Sequence, residues 1–314
     1  MNSGQIQTLR GPVAADALGR TLPHEHLFVD LRGPFVPGYA AADAERVVER
    51  MLPYLNELAA RGVTALVDCA PPGVGRNVPV LRRIAAVTSL HIIAPTGVYK
   101  EGFIPTALLD LTPKTLAERW VYELTEGMDG TDSRAGFIKV ALSDAGPTPI
   151  EVRNLQAAAL ASQQTGAVVA SHTIGEPAIR REVEVLTSAG LDLRRFIWVH
   201  AHTVHDPAVH VEMAQRGVWV EFDAIGADAW MDQPLLLDLV VKLIEAGYAD
   251  QLLLSHDAGW YDPAQPDGRP QPDGIRGYTA LFDTFIPALH AHGVTEAIID
   301  QITITNPARA FALA

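Results

Sequence analysis

Cysteine is almost absent from this chain. Cys69 is the single one among 314 residues, so no intrachain disulfide can form, and a reducing compartment is the default expectation. There is no run of about 18 apolar residues, which argues against a membrane span. The first eleven residues are polar and lack the basic-then-apolar order of a secretory signal, so the expected location is cytoplasmic. Positive charge is scarce: 24 Lys and Arg stand against 37 Asp and Glu, a formal net charge of −13. Such a surface repels a phosphate backbone, which excludes nucleic acid as the expected partner. No GxGxxG follows an apolar run, which counts against a dinucleotide cofactor. Hydrophobic residues make up 48% and charged residues 19%, enough for a folded core and too apolar for a disordered chain.

Eight short apolar runs are present: Thr21–Leu31, Val63–Cys69, His91–Tyr99, Gly136–Leu142, Ala167–His172, Phe196–His202, Val218–Ile225 and Gln251–Asp257. Runs of this kind suit strands buried on both faces. Helical spacing occupies the intervals, at Ala42–Arg61 with a kink expected at Pro53, Pro113–Glu126, Pro149–Thr165, Glu176–Ala189, Asp206–Arg216, Pro234–Ala246 and Thr279–Ala291. Several of these stop at glycine. Eight alternations with no ninth favour one closed (β/α)8 barrel over an open doubly wound sheet. No linker divides the chain, so residues 1–314 are expected to form a single domain. Gln5–Gly19 is expected as a hairpin covering one barrel end. Gly259–Ile275, rich in Pro, Gly and Asp, reads as a structureless loop over the catalytic face or as plain surface loop.

The candidate chemistry lies at the strand ends. His24 and His26 are two apart on a predicted strand, so both imidazoles face one side. That geometry suits a metal, although an isolated HxH is more often a surface or hydrogen-bonded pair. Lys139 sits inside an apolar run, where a lone ammonium is costly. It is paired, neutralised or functional there, unless its stem lies on apolar surface and its head reaches water. His172, His200, His202 and Asp257 close the fifth, sixth and eighth runs, and barrel enzymes carry their catalytic groups at such positions. Cys69 ends the second run with no activating base in view, which speaks against a thiol mechanism.

The ordered motifs LGRTLPHEHLFVDL, AGFIKVALS, ASHT, RFIWVH, VWVEFDAIG and LLLSHD resemble those of the phosphotriesterase family of the amidohydrolase superfamily, which includes phosphotriesterase-like lactonases. The likeness runs from about Gly11 to the C-terminus. It implies a TIM barrel with a binuclear metal site at the C-terminal strand ends. On that likeness His24, His26 and Asp257 hold the more buried cation and His172 and His200 the outer one. Lys139, as N6-carboxylysine, bridges both together with a hydroxide that serves as nucleophile. Zinc is the first expectation for the two divalent ions, with Mn, Co and Fe as alternatives, since N and O donors suit all four. Asp257 doubles as catalytic base.

Tyr99, in GVYK, resembles the lactonase branch. Ala224 after Asp223, and the text SHDAGWYDP, depart from it. Tyr99, His202, Trp230 and Trp260 are the expected pocket residues, with Tyr261 beside them. The implied activity is hydrolysis of a lactone or related ester, with weak phosphotriesterase activity as a side reaction. The alternatives are a dedicated organophosphate triesterase and a non-catalytic homologue of the fold. The likeness also suggests a homodimer.

Overall fold

Alternation along each apolar run decides which side chains fill the barrel and which meet the helices. A computed structural model describes residues 4–313; the outermost residues of the expected single-domain span lie outside it. Ala65 and Val67, Phe137, Val168 and Ala170, Ile197 and Val199, Trp219 and Leu253 point inward and pack as one apolar plug. Their neighbours Leu66, Ile138, Val169, Trp198, Val220 and Leu254 point outward into the layer shared with the helices. This is the strand period of two applied all around a cylinder.

The strands are β1 (Gln5–Thr8), β2 (Gly11–Ala14), β3 (Thr21–Phe28), β4 (Ala65–Asp68), β5 (His91–Ile93), β6 (Pro95–Gly97), β7 (Phe137–Ala141), β8 (Val169–His172), β9 (Phe196–Val199), β10 (Trp219–Phe222), β11 (Leu252–Leu254) and β12 (Gly259–Tyr261). β1 and β2 form the expected antiparallel hairpin. Its Ile6 packs on the plug, closing the N-terminal end.

The barrel is a (β/α)8 barrel in which all ladders are parallel, in the orders β12-β3-β4-β5 and β6-β7-β8-β9-β10-β11. The third run, expected as one strand, is split into β5 and β6 around Ala94, and Pro95 follows with no N–H to offer a ladder. The ladder also lapses between the eighth and first strands. There Ser255 Oγ accepts from the His24 amide at 3.0 Å. Beyond it, Asp257 N donates to His24 O at 3.2 Å and His26 N to Ala258 O at 3.0 Å.

One expectation about elements needs correction, and the structure holds helices that the apolar spacing does not predict. Gly259–Ile275 is not structureless, because its first three residues form β12, with Gly259 registered on His26 and Tyr261 on Phe28. The helix Val78–Val87 is one, capped by Asn77 and with Pro79 in its first turn. The C-terminal helical segments Glu296–Asp300 and Asn306–Phe311 are others. The helix Ala44–Ala60 runs on through Pro53. Among the described residues, no helix is long and apolar enough to cross a membrane.

Candidate metal centre

Above the apolar plug the inward positions turn polar. Phe137 is followed two residues on by Lys139, Ala170 by His172, Leu253 by Ser255 and then Asp257, and Trp219 by Glu221 and Asp223. His24 and His26 occupy the corresponding positions on β3, with ring centres 5.4 Å apart. His24 Nε2 lies 3.4 Å and His26 Nε2 2.8 Å from Asp257 Oδ1. The His172 and His200 rings are 4.6 Å apart, and His24 lies 5.3 Å from His200. Lys139 borders the same cavity, so the structure brings together all six residues expected as metal ligands.

His200 does not arrive by strand alternation. Phe196 and Trp198 face the helices, and His200 would follow them. Its backbone adopts φ +64°, which turns the side chain into the cavity. Left-handed backbone is costly for a non-glycine residue and marks a site where surrounding structure holds the strain. Asp257 is also left-handed, at φ +50°.

The expectation for His202 is corrected. It does not border the cavity. Residues 201–203 form a 3-10 turn, so the i, i+2 relation to His200 is lost. His202 is buried behind the site, its Nδ1 3.2 Å from Asp223 Oδ1 and its ring 5.8 Å from that of Trp230. Tyr99, Trp230 and Trp260 do line the cavity, which has a volume of about 550 Å³. Tyr99 Oη lies 3.3 Å from His172 Nδ1. Tyr261 is buried instead, stacked on Phe28. His256 faces away from the cavity, its Nδ1 2.6 Å from Glu25 Oε1 while its Nε2 accepts from the Leu281 amide.

Sequence reasoning missed three carboxylates. Glu221 Oε1 lies 2.7 Å from His24 Nδ1, and Asp223 Oδ1 lies 2.9 Å from His200 Nδ1. Each contact leaves the imidazole Nε2 free to face the cavity, the usual arrangement behind a metal-ligating histidine. The readable signal was Glu221 and Asp223 at i, i+2 within an otherwise apolar run. The third, Glu25, is buried between His24 and His26. It accepts from Ser255 Oγ, from the amides of His256 and Ala258, and lies against the His256 ring. It ties the end of the eighth strand to the first.

Burial and charge act together on these groups. Burial, then the nearby Lys139, lowers His24 to about 3. Burial, His200 and Lys139 hold His172 well below its ordinary value. Burial and the adjacent Asp223 push Glu221 well above the carboxylate range. Burial would raise Asp223 and Asp257 too, but the imidazoles around them win and hold both low. Burial raises the Cys69 thiol well above its usual value, which removes the thiolate a nucleophile needs.

The donor set fits divalent cations. His24, His26 and Asp257 offer ligand atoms that all lie within 4.8 Å of one another. Lys139 is 2% exposed, and among the described residues its Nζ has no hydrogen-bond partner; nor does the buried His172 Nε2. A buried ammonium and imidazole without partners are expensive, and a cation site with a modified lysine would satisfy both.

Residues 4–311 match the phosphotriesterase family. A phosphotriesterase homology protein of Mycobacterium tuberculosis is 32% identical, over 98% of this chain and 97% of its own. An N-acetyltaurine hydrolase of Rattus norvegicus is 29% identical, over 97% of each chain. The solved structure of a mutant PTE-like lactonase from Deinococcus radiodurans superposes with a TM-score of 0.87 at 34% identity, covering 98% of this chain and 100% of that one. The histidine-lined mouth, the unpartnered lysine beneath it and these full-length matches agree, and the chain belongs to the phosphotriesterase family of the amidohydrolase superfamily, a family of metal-dependent hydrolases.

Proposed function

We propose that residues 1–314 act as one binuclear-metal hydrolase domain that opens a lactone or related carboxylic ester. The observation that carries this reading is Lys139, buried and unpartnered at Nζ below the four imidazoles and Asp257. In the proposal the ammonium gives up one proton, and the free amine adds to CO2 and gives up a second. An orphan cation thereby becomes a carbamate anion that would offer oxygen ligands to the cations. His24, His26 and Asp257 would hold the inner ion and His172 and His200 the outer.

Two such ions, zinc in the first instance, would supply Lewis acidity and a water acidic enough to ionise near neutral pH. The chain does the rest. Glu221 and Asp223 hold His24 and His200 in register. Asp257, kept ionised by its imidazole neighbours, accepts the proton of the attacking water and returns it to the leaving alkoxide. Tyr99 keeps its proton because burial raises it, so it can donate to an oxygen of the bound substrate beside His172. Trp230 and Trp260 offer apolar walls to the acyl portion.

Uncharged substrates suit this cavity better than anionic ones. Asp228 and Asp273 border it, and the donors of the rim cation Arg276 are committed to three backbone carbonyls. The test is a hydrolysis screen of lactones, aryl esters, phosphotriesters and N-acetyltaurine on zinc- or manganese-loaded protein. Lactones or esters should give the highest kcat/KM, and chelation should abolish turnover. A phosphotriester far ahead of every ester would replace this proposal with a dedicated triesterase. Inertness of the two-metal protein toward all of them would leave a binding homologue.

A further inference from the structure

The outer wall of the cavity is assembled from three pieces that meet beyond the ends of their ladders, the last β10–β11 pair being Phe222 with Leu254. One is the end of the seventh strand with the segment Ile225–Trp230. A second is the end of the eighth strand at His256 and Asp257. The third is the returning loop, which touches β12 through a lone antiparallel bridge between Gly259 and Arg276. A single side chain joins all three. Arg276 Nη1 donates to Ile225 O at 3.1 Å, and Nη2 donates to both His256 O and Asp257 O at 2.6 Å. Its guanidinium carbon lies 5.6 Å from the centre of the Trp230 ring. Arg276 and Trp230 both border the cavity, and Trp230 is 55% exposed, its other ring neighbour being His202 at 5.8 Å.

A guanidinium suits this task because its donors lie in one fixed plane that also presents a flat face to an aromatic ring. An ammonium can reach carbonyls but has neither the fork nor the face. The carbonyl of Asp257 belongs to a residue in left-handed backbone, a conformation that needs external support. Capturing that carbonyl fixes the direction in which the Asp257 carboxylate projects toward His24 and His26.

We propose that Arg276 is a positioning and specificity-determining residue: through the Asp257 carbonyl it aims the carboxylate, and through Trp230 it sets the wall that receives a substrate's apolar tail. The second role rests on the ester-hydrolase reading; the first does not.

The experiment compares Arg276→Ala, Arg276→Lys, Trp230→Ala and the Arg276→Ala/Trp230→Ala double variant with the parent. Zinc-loaded proteins are assayed on two lactones differing only in the length of an alkyl tail. Arg276→Ala should lower kcat on both by about tenfold or more, with KM for the long-tailed lactone rising by a further factor of about five. Trp230→Ala should reproduce the KM change, and the two KM effects should not add in the double variant. Arg276→Lys should recover part of the lost kcat without the tail preference. A role in folding alone would depress both substrates in proportion with no split, and that result overturns the proposal.

Two readouts do not depend on any substrate. Arg276→Ala should increase acrylamide quenching of tryptophan fluorescence, and not in a Trp230→Phe background. It should also weaken zinc retention against a competing chelator, because Asp257 loses its aim. If the parent hydrolyses no ester, the substrate assignment fails while these two still judge Arg276; both unchanged would refute it.

Discussion

Replacing Lys139 by methionine tests the centre of this account. Methionine keeps the length and apolar stem but cannot add CO2 or donate an anion to a cation. Among the described residues Lys139 makes no hydrogen bond at Nζ, so the change removes no polar contact of the metal-free site. Its effect must appear when metal is added. At free zinc about 100-fold above the dissociation constant, binding stabilises the fold by roughly 2.7 kcal/mol. The unfolding entropy expected of 314 residues converts that to a rise of about 4 °C in Tm. Loss of a bridging ligand that weakens affinity about 100-fold leaves roughly 0.4 kcal/mol at the same zinc concentration, or about half a degree.

Scanning calorimetry with and without zinc, on parent and Lys139→Met, reads this difference directly. Metal analysis should show the stoichiometry falling from two. Lys100→Met is the control, since that lysine is paired with Asp144 at 3.2 Å and does not border the cavity. The competing account makes Lys139 an unmodified cation that offsets the buried carboxylates. In that case the variant would melt lower without metal yet keep the full zinc-induced rise, and that outcome would refute the bridging role.

Other expectations follow from single residues. Asp257→Asn should leave the circular dichroism spectrum and KM nearly unchanged while kcat falls by about a hundredfold or more; retained turnover would remove the carboxylate from proton transfer. Glu182 is buried, and burial lifts its carboxyl from 4.5 to about 7 despite hydrogen bonds from Ser171 and Thr173. A folded value above the unfolded one means its contribution is full below pH 4.5 and is lost as pH rises through about 7. Glu182→Gln should therefore gain stability relative to the parent across that window, by up to roughly 3 kcal/mol, and level off above it. Urea titrations giving the same difference at every pH would contradict this. At Gly259, φ is +94° and an added Cβ would fall 2.0 Å from Tyr278 Oη and 2.4 Å from His26 O. Gly259→Ala should cost about 3 kcal/mol or more by forcing β12 off the first strand, and an unchanged Tm would show that this seam yields freely.

Much of this molecule was legible from residue order because its strands obey a strict period. Eight apolar runs separated by helical spacing favour a barrel over an open doubly wound sheet. The period of two puts His24 with His26, and Lys139 above Phe137, on the interior face without reference to any coordinates. The same rule, applied to Trp219-Val220-Glu221-Phe222-Asp223, points at two interior carboxylates. Their partners on β3 and just past β9 are invisible locally, because contacts such as that between Glu221 and His24 span 197 positions of chain.

Where the period fails, the tertiary structure decided. His200 faces inward only because its backbone is left-handed, and the turn that follows takes His202 out of the cavity it was expected to line. Backbone strain of that kind is imposed by packing around the strand end and leaves no mark on the spacing of apolar residues. The meeting of the eighth strand with the first, where Glu25 and Ser255 fill a lapse in the ladder, belongs to the same class. So does the reach of Arg276 across two strand ends to Trp230. These contacts exist because a closed cylinder brings the two ends of the chain's strand order together, a condition that no local stretch of sequence encodes.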